Sequence, residues 1–457
     1  MAQNTKVEAD HDAPPITRLL AEFVASHPSR GWSDAVEREA ARTWLNWVGC
    51  AVGAANHAAM QAALAAMQEL SPAPQATILG RAEKIDMAGA ALLNGISSHT
   101  FDFDDTHLKT IIHPAGPVAS ALLALAEHTG ASGREVIDAM VLGIDVSCRI
   151  GNMMYPQHYD RGWHITGSTG TIGAAAACAR LMKLDADRTQ MALGIAASQP
   201  IGLREQFGTM TKPFHPGAAA RAGLTSALLA KHGYTSSKRA LEAPRGYAQV
   251  VSTKTDWNEI TEELGRRFEI SFNTYKPFAC GIVIHPTIDA CVQLREAHGV
   301  RAEQVERIEL KVHSLVLELT GKKTPKDGLE GKFSVYPAAA AGLIFGKAGE
   351  DEFDDHIVNR PDMLALRAKI VATVDSNIHE DQVDATAILT DGRRIHLFVE
   401  HSIGSMAKPM SDAQLEAKFD GLAVPVLGQA KVTALKDLCW GIASQAKVSG
   451  LCEAAKP

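Results

Sequence analysis

The chain is poor in aromatic residues, which make up 5% of its 457 positions, and it has no basic stripe. Without lysine and arginine gathered on one face, nucleic acid is not an expected partner. The net charge of −7 points the same way, and an anionic substrate would have to be attracted by a local group of cations. No CxxC occurs among the seven cysteines, Cys50, Cys148, Cys178, Cys280, Cys291, Cys439 and Cys452. Their odd number and scatter exclude a disulfide framework or a zinc ribbon and fit reduced thiols in a cytoplasmic protein. The first residues, MAQNTKVEADHDAPP, are polar and acidic, unlike a signal peptide. No apolar run is long and unbroken enough to read as a membrane span. No internal repeat, heptad or low-complexity tract is evident.

What is there is 46% hydrophobic and 21% charged, a globular balance with material for a large core. Alanine is abundant, and it favours helices and lets their backbones approach. Residues 15–265 read as helical. In WSDAVEREAARTWLNWVGCAVG, Ser33 stands where a cap is needed, and Val36, Ala40, Trp44 and Trp47 follow at helical spacing. GAAARAGLTSALLAKHGYTS closes with Lys231 and then Gly233, the chemistry of a helix end. From residue 266 the pattern changes. RIELKVHSLVLEL, IVATVDSN and ATAILTDGRRIHLFVEH read as strands, the last with an Asp391-Gly392 hairpin turn. HPTIDACVQLREAHG and SVYPAAAAGLIFGKAG read as helices within that region. Helical text returns over residues 405–457. The expected fold is mainly α: a large all-helical domain from residues 15–265 and 405–457, with a smaller α+β domain of residues 266–404 inserted in it.

Residues 99–114, HTFDFDDTHLKTIIHP, gather Asp102, Asp104 and Asp105 with His99, His107 and His113. Such a stretch can chelate a metal, exchange protons or form a polar capped turn. It lacks the HExxH spacing and the EF-hand glycine and terminal glutamate. Asp102 and Thr106 are four apart, on one helix face or in one turn. His113 precedes Pro114 and a helix start, where an imidazole tends to stay neutral, as suits a general acid–base group. In YDRGWHITGSTG, residues 159–170, Tyr159, Arg161, Trp163 and His164 run into a small-residue helix start. The Gly167, Ser168 and Gly170 amides there could face an anion; the alternative is a capping loop. GSTGTIG is not GxGxxG and follows no strand, which excludes dinucleotide binding. REQFGTMTKPFHPG, residues 204–217, puts Lys212 and His215 in a proline- and glycine-bounded loop before a helix. Lys212 is a candidate carboxylate anchor or a plain surface lysine. His285, in YKPFACGIVIHPTIDA, repeats the His-Pro-helix pattern of His113, and nearby Cys280 has no nucleophile's partner pattern.

Taken in order, HTFDFDDTHLKTIIHPAGPV, YDRGWHITGSTGTIGAAAA, GTMTKPFHPGAAARAG, KPFACGIVIHPTIDA and GKFSVYPAAAA make the chain resemble the MmgE/PrpD family over nearly its whole length. The resemblance implies a helical domain built from both chain ends, an inserted α+β lid, a homodimer, and an active site between domain and lid. It implies a cofactor-independent lyase with no catalytic metal, a decarboxylase or dehydratase of an aconitate- or citrate-like polycarboxylate. The alternatives are an epimerase of a substituted succinate such as iminodisuccinate, and a non-catalytic polycarboxylate-binding homologue. Carried over by motif, the site residues fall on Asp102, Thr106, His113, Lys212 and His285. Tyr159, Arg161, His164, Arg204 and His215 are further substrate-binding candidates. Two departures stand out. The spacing from Thr106 to His113 is one residue longer than in the decarboxylases, and FSVYP replaces the HSFQ lid motif, so that Tyr336 matches with an offset of one. The family's reactions all move a proton at a carbon next to a carboxylate. Acid–base groups must reach that carbon, and cations or donors must meet the negative charge that grows there.

Overall fold

The computed structural model describes residues 13–28, 31–70 and 73–457. The chain is mainly helical and forms two compact units. The first takes the chain up to Thr100, Asp105–Asn273 and Phe419–Pro457; the second takes Phe101–Asp104 and Thr274–Lys418.

The first unit begins with α1 (Ile16–Ser26), α2 (Asp34–Gly53), α3 (Ala58–Leu70), α4 (Met87–Thr100) and α5 (Ala115–Thr129). It continues with α6 (Gly133–Met154), the single turn α7 (Gln157–Asp160), α8 (Ile165–Leu181), α9 (Ala186–Ala197) and α10 (Thr211–Lys231). The expected cap of α2 is present: the Val36 N–H donates to Ser33 Oγ, and Asp34 and Glu37 complement the positive end of the helix. Ser132 and Glu135 form a reciprocal capping box at the start of α6. The core lies on α4, α5 and α8, where every residue of 89–100, 115–126 and 165–179 is buried. Small side chains make this possible. A Cβ on Gly95 of α4 would lie 2.5 Å from Gly217 Cα of α10, so the two backbones touch. Glycine is required at that crossing by space alone.

Three local expectations are corrected. Lys212 and His215 lie inside α10 and not in a loop before it. Pro213 falls in the first turn, whose N–H groups have no intrahelical partner, and the helix also carries Pro216 in its interior. The Gly167 and Ser168 amides do not face an anion, because both donate to the His164 carbonyl, at 3.0 and 3.3 Å. Finally, HSLVLEL does not extend a strand. The strand stops at Val312, and Ser314–Thr320 is a helix, started by His313 Nδ1 accepting the Leu315 N–H.

The second unit contains a four-stranded sheet in the order Ile370–Val374, Val305–Val312, Val383–Leu389, Arg394–Val399. The first pair is parallel and the other two are antiparallel. Val383–Leu389 buries alternate residues, which is the period-2 pattern of one covered face. Gly392 closes the hairpin with a φ of +86°, as the Asp-Gly turn requires. Helices His285–Glu296 and Val335–Phe345 pack against each other in this unit.

Candidate active site

In the first unit, residues from four places in the chain meet. His99 is the penultimate residue of α4, His113 lies two residues before α5, His164 holds the N-cap position of α8, and Lys212 and His215 lie in the first turns of α10. All five are buried. The His99 and His113 rings are 4.8 Å apart, His99 and His164 5.6 Å, and His113 and His164 6.4 Å. His164 Nδ1 and His215 Nδ1 share a hydrogen bond of 2.9 Å. Burial holds His164 well below the ordinary imidazole pKa, and repulsion from the neighbouring ionisable groups, His99, Lys212, His215 and His113, acts in the same direction. Burial, His99 and Lys212 bring His215 to about 4. The Phe207 ring meets His164 edge-on, and the Lys212 ammonium lies 5.2 Å from the Phe207 ring centre.

His113 is held from three sides. Its Nδ1 lies 2.7 Å from the Asp105 carbonyl, which can only accept, so this nitrogen carries a proton. Thr106 Oγ1 is 3.2 Å from the same nitrogen, and the His113 N–H donates to Thr166 Oγ1. With the tautomer set in this way, Nε2 is the nitrogen through which the ring can act as an acid–base group. The Asp105 carboxylate accepts from the Ala115 N–H at 3.1 Å and from Asn273 Nδ2 at 2.8 Å, which ties the stretch to the start of α5. The turn before His113 closes through the His107 N–H on the Ile112 carbonyl. Ile111 adopts a φ of +58° there, which for a β-branched residue costs about 1–3 kcal/mol. Below the turn, His107 Nε2 is 3.1 Å from the buried Glu269 carboxylate, which also accepts from Asn152 Nδ2.

The second unit has its own buried charges. Asp102, with a φ of +52°, receives Lys276 Nζ on its carboxylate at 2.8 Å and on its carbonyl at 3.0 Å. Lys276 is 1% exposed. Burial lowers its pKa, but the Asp102 and Asp104 carboxylates outweigh it and hold the pKa above the ordinary lysine value. Two more buried lysines grip the same segment: Lys332 donates to the Phe101 carbonyl and pairs with Glu350, and Lys418 donates to the Phe103 carbonyl. His285 begins its helix with both ring nitrogens buried and without a hydrogen bond of normal geometry. Burial and the Lys276 charge bring it to about 3, with the Cys280 backbone acting in the opposite direction. Tyr336 is 5% exposed on helix Val335–Phe345.

Residues 18–260 match the MmgE/PrpD N-terminal domain, and residues 278–442 match the MmgE/PrpD C-terminal domain. The chain belongs to the MmgE/PrpD family. It is 26% identical to the cis-aconitate decarboxylase of Aspergillus terreus, over 92% of this chain and 91% of that one. It is 27% identical to the cis-aconitate decarboxylase of Homo sapiens, over 76% of this chain and 74% of that one. To the 2-methylcitrate dehydratase of Salmonella typhimurium (strain LT2) it is 23% identical, over 79% and 80%.

Of the residues singled out from motifs, the first unit brings together His113, Thr106, His164, Lys212 and His215. Tyr159 and Arg204, in the same unit, meet each other: the guanidinium lies 4.1 Å from the Tyr159 ring centre and donates to the Tyr159 carbonyl. Arg161 is exposed. The second unit holds Asp102, His285 and Tyr336. Two residues with no role assigned from motifs emerge here. His99 joins the imidazole cluster, and Lys276 holds Asp102. A signal for Lys276 was present, since Lys276-Pro277-Phe278 repeats Lys212-Pro213-Phe214. His99, His113 and His164 each bring one ring nitrogen within 4.8 Å of the others. A small cation would meet that spacing, but the neighbouring Lys212 charge opposes a cation and favours an anion.

Proposed function

We propose that this protein is a cofactor-independent lyase that decarboxylates or dehydrates a small polycarboxylate, aconitate- or citrate-like, by moving a proton at a carbon next to a carboxylate. The observation that carries this reading is the buried group of four imidazoles with Lys212, in which His113 has its Nδ1–H committed to the Asp105 carbonyl. Such a group offers one fixed positive charge and one oriented proton-exchanging nitrogen in a dry setting, where both act strongly. Lys212 neutralises a substrate carboxylate. His113 Nε2 removes or returns the proton, a contribution of roughly 10²–10⁴ in rate. Thr106 steadies the His113 ring. By its motif His285 is a second candidate proton-exchanging group, with Asp102 a further candidate from the same carry-over. Tyr159, Arg204 and Tyr336 contribute to binding. The relatives named above support the reaction class, because their names describe loss of CO₂ or of water. The same reading makes the active species a cytoplasmic homodimer.

The test is an NMR screen of di- and tricarboxylates in D₂O with the purified protein. Loss of CO₂ or water from one of them is the expected result. Deuterium entry without either loss would identify an epimerase of a substituted succinate in place of a lyase. Binding without turnover of any carboxylate would reduce the protein to a binding homologue.

A further inference from the structure

The His164–His215 pair has a capacity that the proposed reaction does not use. Its hydrogen bond runs between two Nδ1 atoms 2.9 Å apart, so one ring must present Nδ1–H and the other a bare Nδ1. The donor ring can take a further proton on its Nε2 and keep the bond. A second further proton would place N–H against N–H and break it. The pair therefore stores one proton. We propose that a polycarboxylate enters this site together with one proton taken from solvent, and that the His164–His215 pair holds it while the ligand is bound.

The surroundings fix the direction. The titratable and charged groups that bear on the pair are His99 from α4, His113 from the segment before α5, and Lys212 from α10; the loop before α10 contributes the uncharged Phe207. With no anion present these groups and burial hold both rings neutral. Two or three carboxylates against the same rings reverse the balance, because the added negative charge favours the protonated form. Lys212 supplies one positive charge, and a trianion needs more than that. A proton on the pair supplies a second without importing a counterion. Gly202 keeps the two rings in contact: a Cβ there would lie 2.9 Å from the His215 ring and 3.0 Å from His164 Cβ, and its φ is +102°.

This inference rests on the polycarboxylate reading, and one experiment separates their failures. Propane-1,2,3-tricarboxylate is titrated calorimetrically into the protein near neutral pH in buffers of low and high ionisation enthalpy. The dependence of observed heat on buffer gives the protons taken up. Close to one is expected, and Kd should weaken by up to ~10-fold per unit rise in pH, as uptake of one proton requires. His215→Phe removes the Nδ1 partner and should abolish the uptake. His215→Gln, which restores a partner for His164 Nδ1, should regain it. Binding with no buffer dependence would overturn the stored proton and leave the polycarboxylate reading standing. Uptake unchanged in His215→Phe would move the proton to another group and overturn the assignment. No binding of this tricarboxylate, of citrate or of succinate would overturn both. If His215→Phe fails to fold, the wild-type buffer dependence still decides whether a proton enters.

Discussion

Lys276 keeps its proton although almost no water reaches it, and the Asp102 and Asp104 carboxylates are the reason. Its pKa is raised over the unfolded value, so the stability it contributes is present below that unfolded value and is lost as pH rises through the folded one. Removing the ammonium alone leaves Asp102 buried without its cation. Lys276→Met is expected to cost about 3–5 kcal/mol, and Lys276→Met with Asp102→Asn less than that; a double-mutant cycle on Tm measures the difference. His285 follows the opposite sign. Its pKa is depressed to about 3, so its share of stability is full above the unfolded value and falls away as pH drops toward the folded one. His285→Phe should therefore narrow the Tm difference between neutral and mildly acidic solution, and an unchanged difference would contradict the burial argument. His113→Gln keeps size and polarity but exchanges no proton. A fall in kcat of roughly 10²-fold or more with little change in Tm is expected, whereas a large Tm loss with kcat preserved would make His113 a capping residue only. His113 and His285 could be singled out because each precedes a proline at a helix start, and Lys212 because a proline follows it in what reads as a loop. Lys276 was harder to find, since its partner Asp102 is 174 residues away, and no local pattern reveals a contact of that range.

The elements that place these side chains depend on glycine as much as on apolar residues. Gly95 and Gly217 let α4 and α10 touch, and each helix carries a cluster imidazole close by, His99 four residues after Gly95 and His215 two before Gly217. Gly95→Ala should separate the helices at a cost of about 1–3 kcal/mol and lower kcat with it. Gly421 provides the control. It lies in helix Asp412–Leu427 with nothing within 4 Å of an added Cβ, and Gly421→Ala should raise stability by about 0.5–1 kcal/mol. If both substitutions changed Tm equally, the crossing would not be the controlling contact. Helices with a cap and a regular stripe, such as α2, could be read directly. The start of α10 could not, because Pro213 and Pro216 suggest a break, and only the missing N–H requirement of a first turn explains why Pro213 is tolerated. The Ser314–Thr320 helix was hidden by β-branched and leucine residues, and a side-chain cap decided its conformation.

Across the whole molecule, all seven cysteines are buried and unpaired in disulfides. Burial raises the pKa of Cys178, Cys280, Cys291 and Cys439, which keeps them as poorly reactive thiols. A thiol-reactive chromophore should label the native protein slowly and label all seven after denaturation; rapid native labelling would show that a unit opens readily. The two-unit division carries a different lesson for anyone who wants to dissect the protein. The second unit is not one stretch of chain, because Phe101–Asp104 belongs to it as well as Thr274–Lys418. A fragment cut at 274 and 418 would carry three lysines, Lys276, Lys332 and Lys418, each missing an acceptor that lies on Phe101–Phe103. Such a fragment is expected to remain unfolded until a short peptide bearing Phe-Asp-Phe-Asp is added back, so four residues act as a removable key to a unit more than thirty times their length.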